Sequence, residues 1–144
     1  MSKTLKKFGY PNNLLREYEN WYILFRYEQV TLGSLILITK NNEYNLSEVS
    51  KEGFEEYPII INHIETVLKE VFGYEKINYI MLMMIDPEVH YHVIPRYSKD
   101  ILFEKNLFED KGWPGFPAFS EPNSIDKKLQ KQIIAYLRGK FDSV

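Results

Sequence analysis

A chain of 144 residues that is 44% apolar and 26% charged has the composition of a folded domain. Its 11 Tyr, 9 Phe and 2 Trp exclude a disordered segment, and its net charge of −2 offers no bulk attraction to nucleic acid polymers or anionic membranes. With no cysteine, disulfide frameworks, thiolate metal clusters and a cysteine nucleophile are excluded together.

Residues 1–19 read as an irregular N-terminal arm. Lys3, Lys6, Lys7 and Arg16 precede any acidic residue, and Pro11-Asn12-Asn13 is turn chemistry. The arm lacks an apolar signal core, and no apolar run in the chain reaches the ~18 residues of a membrane span. A single cytoplasmic domain over 1–144 is expected.

Trp21 to Tyr27 predicts a strand from its aromatic and β-branched alternation, and Leu35-Ile36-Leu37-Ile38 predicts its hairpin partner. Ser47 stands where a helix cap is expected. Beyond it Phe54, Tyr57, Ile61, Ile64, Leu68 and Val71 recur at helical spacing up to Gly73. Pro58 interrupts that stripe and predicts either a kink or a short helix followed by a longer one. The apolar run Ile77 to Ile85 predicts a strand covered on both faces, and Glu88 to Ile94 another strand. Residues 98–123 read as a loop, rich in Gly, Pro and aromatics around Gly112-Trp113-Pro114-Gly115-Phe116-Pro117. Residues 124–141 read as a C-terminal helix capped by Ser124, with the stripe Ile125, Leu129, Ile133, Leu137 and Phe141. Short connections favour antiparallel pairing. The expected architecture is α+β, with helices packed on a mainly antiparallel sheet.

Chemistry concentrates in Glu88-Val89-His90-Tyr91-His92-Val93-Ile94-Pro95-Arg96. Strand alternation places Glu88, His90, His92 and Ile94 on one face at ~7 Å steps, with Val89, Tyr91 and Val93 facing a core. Three readings fit that spacing. The imidazoles are half-exposed on a solvated face, or Glu88, His90 and His92 ligate a metal, or an imidazole acts as nucleophile or acid/base catalyst. Arg96 beside two imidazoles suggests an anion such as phosphate, and Arg26 suggests a further contact from a neighbouring strand. His63, beside the apolar stripe of the long helix, reads as a structural boundary residue. The Trp113-Pro114-Gly115 segment reads as a lid or a fixed wall. No glycine-rich phosphate loop, nucleophile elbow or CxxC occurs.

The stretch Glu88 to Arg96 resembles the signature of the histidine triad (HIT) proteins, His-φ-His-φ-His-φ-φ followed by Pro-Arg. The likeness extends over residues 20–97 through the hairpin at Thr31 to Leu37, the helix after it and the strand Asn78 to Asp86. The segment Phe8 to Pro11 and the loop Gly112 to Gly115 look like a bacterial-type subgroup. The resemblance implies a five-stranded sheet with one long and one C-terminal helix. It also implies a nucleotide hydrolase or nucleotidyltransferase acting on an α-phosphate of a nucleotide or nucleotide conjugate. No cofactor or metal is implied, and a homodimer is. Matched to the motif, His90 is the nucleophile that carries the nucleotidyl group and His92 contacts phosphate or the leaving group. Glu88, Arg96 and Arg26 are the expected substrate contacts, and the base and ribose lie against the Trp21 to Tyr27 strand. Glu88 stands where the pattern has its first histidine. Asp86-Pro87 replaces the Gly-, Gln- and Ser/Thr-containing loop of many members. These departures leave a nucleotide-binding module without turnover as the alternative, with a metal-dependent hydrolase on Glu88, His90 and His92 as a further one.

Overall fold

The computed structural model describes residues 2–144. In chain order its elements are α1 (Lys3–Phe8), β1 (Leu14–Glu17), β2 (Trp21–Phe25), β3 (Leu35–Thr39), α2 (Lys51–Glu55), α3 (Tyr57–Phe72), β4 (Lys76–Ile80), β5 (His90–Arg96), β6 (Ile101–Phe103), β7 (Asn106–Phe108) and α4 (Lys127–Asp142). Five strands form one antiparallel sheet in the order β1-β2-β3-β5-β4, and β6 and β7 form a separate hairpin. The α+β architecture with a mainly antiparallel sheet is as the sequence predicts.

The N-terminal arm is not irregular. Ser2 caps α1 by accepting from the Leu5 amide, and Gly9 ends it in the left-handed region at φ 109°. A Cβ at Gly9 would stand 2.3 Å from the Tyr27 ring, so both backbone sign and space demand glycine there. The arm then supplies β1, whose register against β2 shifts between Leu14 and Arg16. Two turns of α1 were too short to show a periodicity.

The two faces of the sheet are covered unequally. Trp21, Ile23 and Phe25 of β2, Leu35 and Leu37 of β3 and Val93 of β5 pack against Ile60, Ile64, Val67 and Leu68 of α3 and Leu137 and Phe141 of α4. Each such fully buried side chain contributes roughly 1.5–3 kcal/mol. The opposite face carries Leu24, Ile36 and Ile38, covered by Leu5, Phe8 and Tyr10 from the N-terminal segment. That cover is small. The cross-strand pairs Ile36–His92 and Ile38–His90 put both histidines next to it, on the sparsely covered side.

Of the two readings at Pro58, the structure takes the short helix followed by a longer one. Ser50, not Ser47, caps α2 by accepting from the Gly53 amide, and Pro58 sits in the first turn of α3, where its missing N–H leaves no bond unmade. Asp126, not Ser124, caps α4 through the Leu129 amide. The predicted strand Ile77 to Ile85 stops at Ile80. β4 is an edge strand, and residues 81–85 leave the sheet with Leu82, Met84 and Ile85 strongly exposed and Met83 at φ 52°. The segment 98–123 is not all loop, because it contains the β6–β7 hairpin. Among the described residues, no helix is long and apolar enough to cross a membrane.

Candidate active site

β5 runs between β3 and β4, and its alternation sorts its side chains as the sequence predicts. Val89 and Val93 are fully buried in the main core, with Tyr91 packed against it. His90 and His92 face the other way, into a cavity of about 550 Å³, a usual size for a small-molecule site. The rings meet edge to face with centroids 5.0 Å apart, closer than the backbone repeat because the side chains lean together. Phe8 of α1 packs on both, at 5.5 Å from His90 and 6.4 Å from His92, and Phe119 closes the far side at 5.5 Å from His92. The histidines are not half-exposed on a solvated face: His90 is 2% exposed and His92 9%.

The tautomer of His90 follows from its partner. Its Nδ1 lies 2.6 Å from the carbonyl oxygen of Glu88, and a carbonyl only accepts, so Nδ1 carries the proton. The lone pair of the neutral ring is therefore on Nε2. His92 is different. Its Nδ1 is buried with no hydrogen-bond partner. An orphaned acceptor is tolerated more readily than an orphaned N–H, which places the His92 proton on Nε2. Burial, then His90, then Arg26 push the His92 pKa down to about 4, opposed by Asp86. His92 is a neutral N–H donor at physiological pH.

Arg26, just beyond β2, lines the same cavity. Its Nη1 donates to the Glu28 carbonyl at 2.7 Å and sits 3.6 Å from the Glu28 carboxylate, while Nε is buried without an acceptor. The guanidinium stacks 5.5 Å from the Phe119 ring centre. Burial lowers its pKa, offset in part by Glu28 and Asp86. An arginine with an unused buried N–H at the edge of a cavity is poised for an anionic oxygen.

The other two expected substrate contacts lie elsewhere. Arg96 does not turn back toward the histidines, because β5 continues straight through Pro95. It is about 13 Å along the strand from His92. There Nε and Nη2 grip Asp110 at 2.7 and 3.1 Å, and Nη1 donates to Asn78 at 2.8 Å. Glu88 keeps its carbonyl at His90, but its side chain lines a second cavity. Strand alternation does not reach Glu88, since β5 begins at His90. For the same reason Glu88, His90 and His92 do not converge as metal ligands. Among the described residues no three His, Asp or Glu side chains do. His63 is a boundary residue, its Nδ1 2.8 Å from the Tyr18 hydroxyl.

Sequence reasoning missed Lys7, Phe8, Asp86 and Phe119. Lys7 and Asp86 form an ion pair at 2.7 Å across the cavity rim, joining α1 to the segment before β5. Leu82 to Ile85 make the apolar outer wall. Five consecutive apolar or sulfur-bearing residues ahead of Asp86-Pro87 were the available signal, and buried-strand chemistry competes with it. From the Gly/Pro-rich segment the cavity takes Phe119, while Phe116 is 92% exposed.

Solved structures share this chain's fold along nearly its whole length. A histidine triad protein from Sinorhizobium meliloti superposes with a TM-score of 0.74 at 20% identity, covering 97% of this chain and 95% of that one. A histidine triad protein from Bradyrhizobium japonicum gives 0.70 at 18% identity, covering 98% and 96%. A hypothetical histidine triad nucleotide-binding protein from Sulfolobus tokodaii gives 0.66 at 15% identity, covering 91% and 84%. No family model and no curated protein matches the sequence. The fold of this chain is that of the histidine triad proteins, including the five-stranded antiparallel sheet.

Proposed function

We propose, with the histidine triad fold as the premise, that this protein is a nucleotide hydrolase or nucleotidyltransferase that works on an α-phosphate through a nucleotidyl-histidine intermediate. The observation that carries the reading is the Glu88 carbonyl holding the proton of His90 on Nδ1, which leaves Nε2 as the nucleophilic nitrogen at the cavity. The site's composition supports a nucleotide: Phe8, Ile36 and Phe119 offer apolar surface to a base, and Arg26 and His92 offer donors to phosphate.

His90 Nε2 attacks phosphorus as the bond to the leaving group breaks. The imidazole keeps its Nδ1 proton, and the Glu88 carbonyl stabilises the positive charge the ring gains. Water then attacks phosphorus, the P–N bond returns its electrons to the ring, and the nucleoside monophosphate leaves with one proton passing to solvent. An acceptor other than water makes the same step a transfer. Neutral His92 donates from Nε2 to a phosphate oxygen without first gaining a proton; such a donor to developing charge is worth roughly 3 kcal/mol. Arg26 compensates the anion.

A second reading, nucleotide binding without turnover, draws support from the rim. At Asp86-Pro87 the rim carries Lys7 of α1, whose ammonium is already paired with Asp86. A homodimer belongs to the same proposal, supported by the unpaired outer edge of β4 and the exposed Leu82, Met84 and Ile85.

Mixing wild type and His90→Ala with dinucleoside polyphosphates and adenosine 5′-phosphoramidates, followed by intact-mass analysis and product assay, separates the readings. Turnover with a nucleotidyl adduct is expected in wild type, and a loss of about 10³-fold or more in the variant. Calorimetric binding with neither adduct nor product establishes the second reading. No binding overturns both.

A further inference from the structure

Residues 109–123, which carry Phe119 over the histidines, are tied to the rest of the chain only near their two ends. Among the described residues, every hydrogen bond made by residues 111–122 stays within the segment. The segment is closed on itself. A Cβ at Gly112 would stand 2.0 Å from the Phe116 carbonyl oxygen, and the Gly115 amide donates to the Gly112 carbonyl at 2.7 Å. In a compact loop with adjoining ends, a shift at the base carries Phe119 with it.

One end is held by Asp110, which accepts from Arg96 and from the Tyr97 amide. The other is held by Asn123. Its backbone N–H donates to the Gln29 carbonyl at 2.8 Å. Its Nδ2 donates to the carbonyls of Gln29 at 3.0 Å, Val30 at 3.3 Å and Glu109 at 2.9 Å, and its Oδ1 accepts from the Glu109 amide at 2.9 Å. One side chain thus ties both ends of the loop to each other and to the connection that follows Arg26. That connection is fixed independently. Fully buried Gln29 donates to the carbonyls of Arg26 and Ser34 at 2.5 and 3.0 Å and accepts from the Gly33 amide at 2.8 Å. Arg26 therefore stands on a fixed base. What Asn123 delivers to it is the Phe119 ring, whose centre lies 5.5 Å from the guanidinium and 5.5 Å from the His92 ring centre.

We propose that Asn123 is a positioning residue: by pinning residues 109–123 to the Gln29–Val30 backbone it holds Phe119 across Arg26 and His92, and so sets nucleotide affinity. The role rests on the nucleotide-binding reading shared by both alternatives above. Asn123 itself does not line the histidine cavity and acts through Phe119. A guanidinium stacked on an aromatic ring is ordered before an anion arrives, so less freedom is lost on binding. A carboxamide suits the post because its donors and its acceptor lie on one planar group, which answers the carbonyl and the amide of Glu109 together.

The test measures adenosine monophosphate affinity by calorimetry and the imidazole NMR signals of His92 at neutral pH. Wild type, Asn123→Ala, Phe119→Ala and the double variant are compared. Each single variant is expected to bind about 10-fold more weakly, the worth of one partly desolvated cation–π contact. The double variant should bind no more weakly than either, because the two residues act as one unit. The His92 signals, displaced by the Phe119 ring in wild type, should move alike in both single variants. Asp110→Ala controls for a merely structural effect: it costs stability but leaves the bonds of Asn123 in place, so affinity and the His92 signals should stay at wild-type values. Asn123→Ser, too short to bridge both ends of the loop, takes the place of Asn123→Ala if the alanine variant does not fold. Costs that add in the double variant, or His92 signals unmoved by the Asn123 substitution, overturn the positioning role while nucleotide binding stands. No binding by wild type overturns the nucleotide reading, and the role of Asn123 in affinity with it.

Discussion

Arg26 and Arg96 are both largely buried arginines at sheet strands, yet their neighbours leave different things over. Arg96 spends its Nε, Nη1 and Nη2 on Asp110 and Asn78, and Asp110 accepts the Tyr97 amide as well. Arg26 spends only Nη1, on a carbonyl two residues away, and its Nε has no acceptor beside a cavity. A buried cation whose donors are all answered by the protein is scaffold. One that lines a cavity and keeps an unanswered buried donor is an invitation to an anion.

The largest break in that comparison is Asp110→Ala. It strands the Arg96 charge in the interior and is expected to lower stability by about 3–5 kcal/mol, read from urea midpoints. The protein that remains folded should keep its nucleotide affinity, since the cavity is not touched.

Arg26→Ala sharpens the contrast from the other side. Nucleotide binding should weaken about 10- to 100-fold by calorimetry, the worth of one hydrogen bond to a charged group. Its urea midpoint should move far less than that of Asp110→Ala. Equal stability losses in the two variants would dissolve the distinction.

The smallest effect is in the acid limb of stability. His92 has a native pKa of about 4, below the ~6.5 of a free histidine. The unfolded chain therefore binds the proton first. The stability His92 contributes is complete above pH ~6.5 and is lost as pH falls from there through about 4. With partial solvent screening this amounts to about 1–2 kcal/mol. The urea midpoint of His92→Asn should fall less than that of wild type between pH 7 and 4.5.

What the sequence revealed and concealed divides along similar lines. The faces of β5 were legible because alternation is a local property of extended backbone, and the stripe of α4 because helical spacing is equally local. The α3 stripe was legible only in part: Ile64 and Leu68 are buried as expected, but Ile60, Val67 and Phe72 complete the buried face in place of Tyr57, Ile61 and Val71. The same rule failed at Glu88, two residues before extended backbone begins. The run Ile77 to Ile85 misled because apolar residues at a cavity wall look like apolar residues in a core. The β6–β7 hairpin stayed hidden because Glu104 and Lys105 occupy its positive-φ turn without the Asn-Gly signature.

By itself the sequence determined an α+β chain with an antiparallel sheet and two imidazoles on one strand face, since each of these follows from periodicities a few residues long. Tertiary structure alone decided that Phe8 and Phe119 close over those imidazoles and that Arg96 belongs to Asp110. It also decided that Lys7 and Asp86 meet as an ion pair at the cavity that holds His90. Those facts depend on residues brought together from 14 positions apart, for Arg96 and Asp110, to 84 apart, for Phe8 and His92, where no local pattern records the contact.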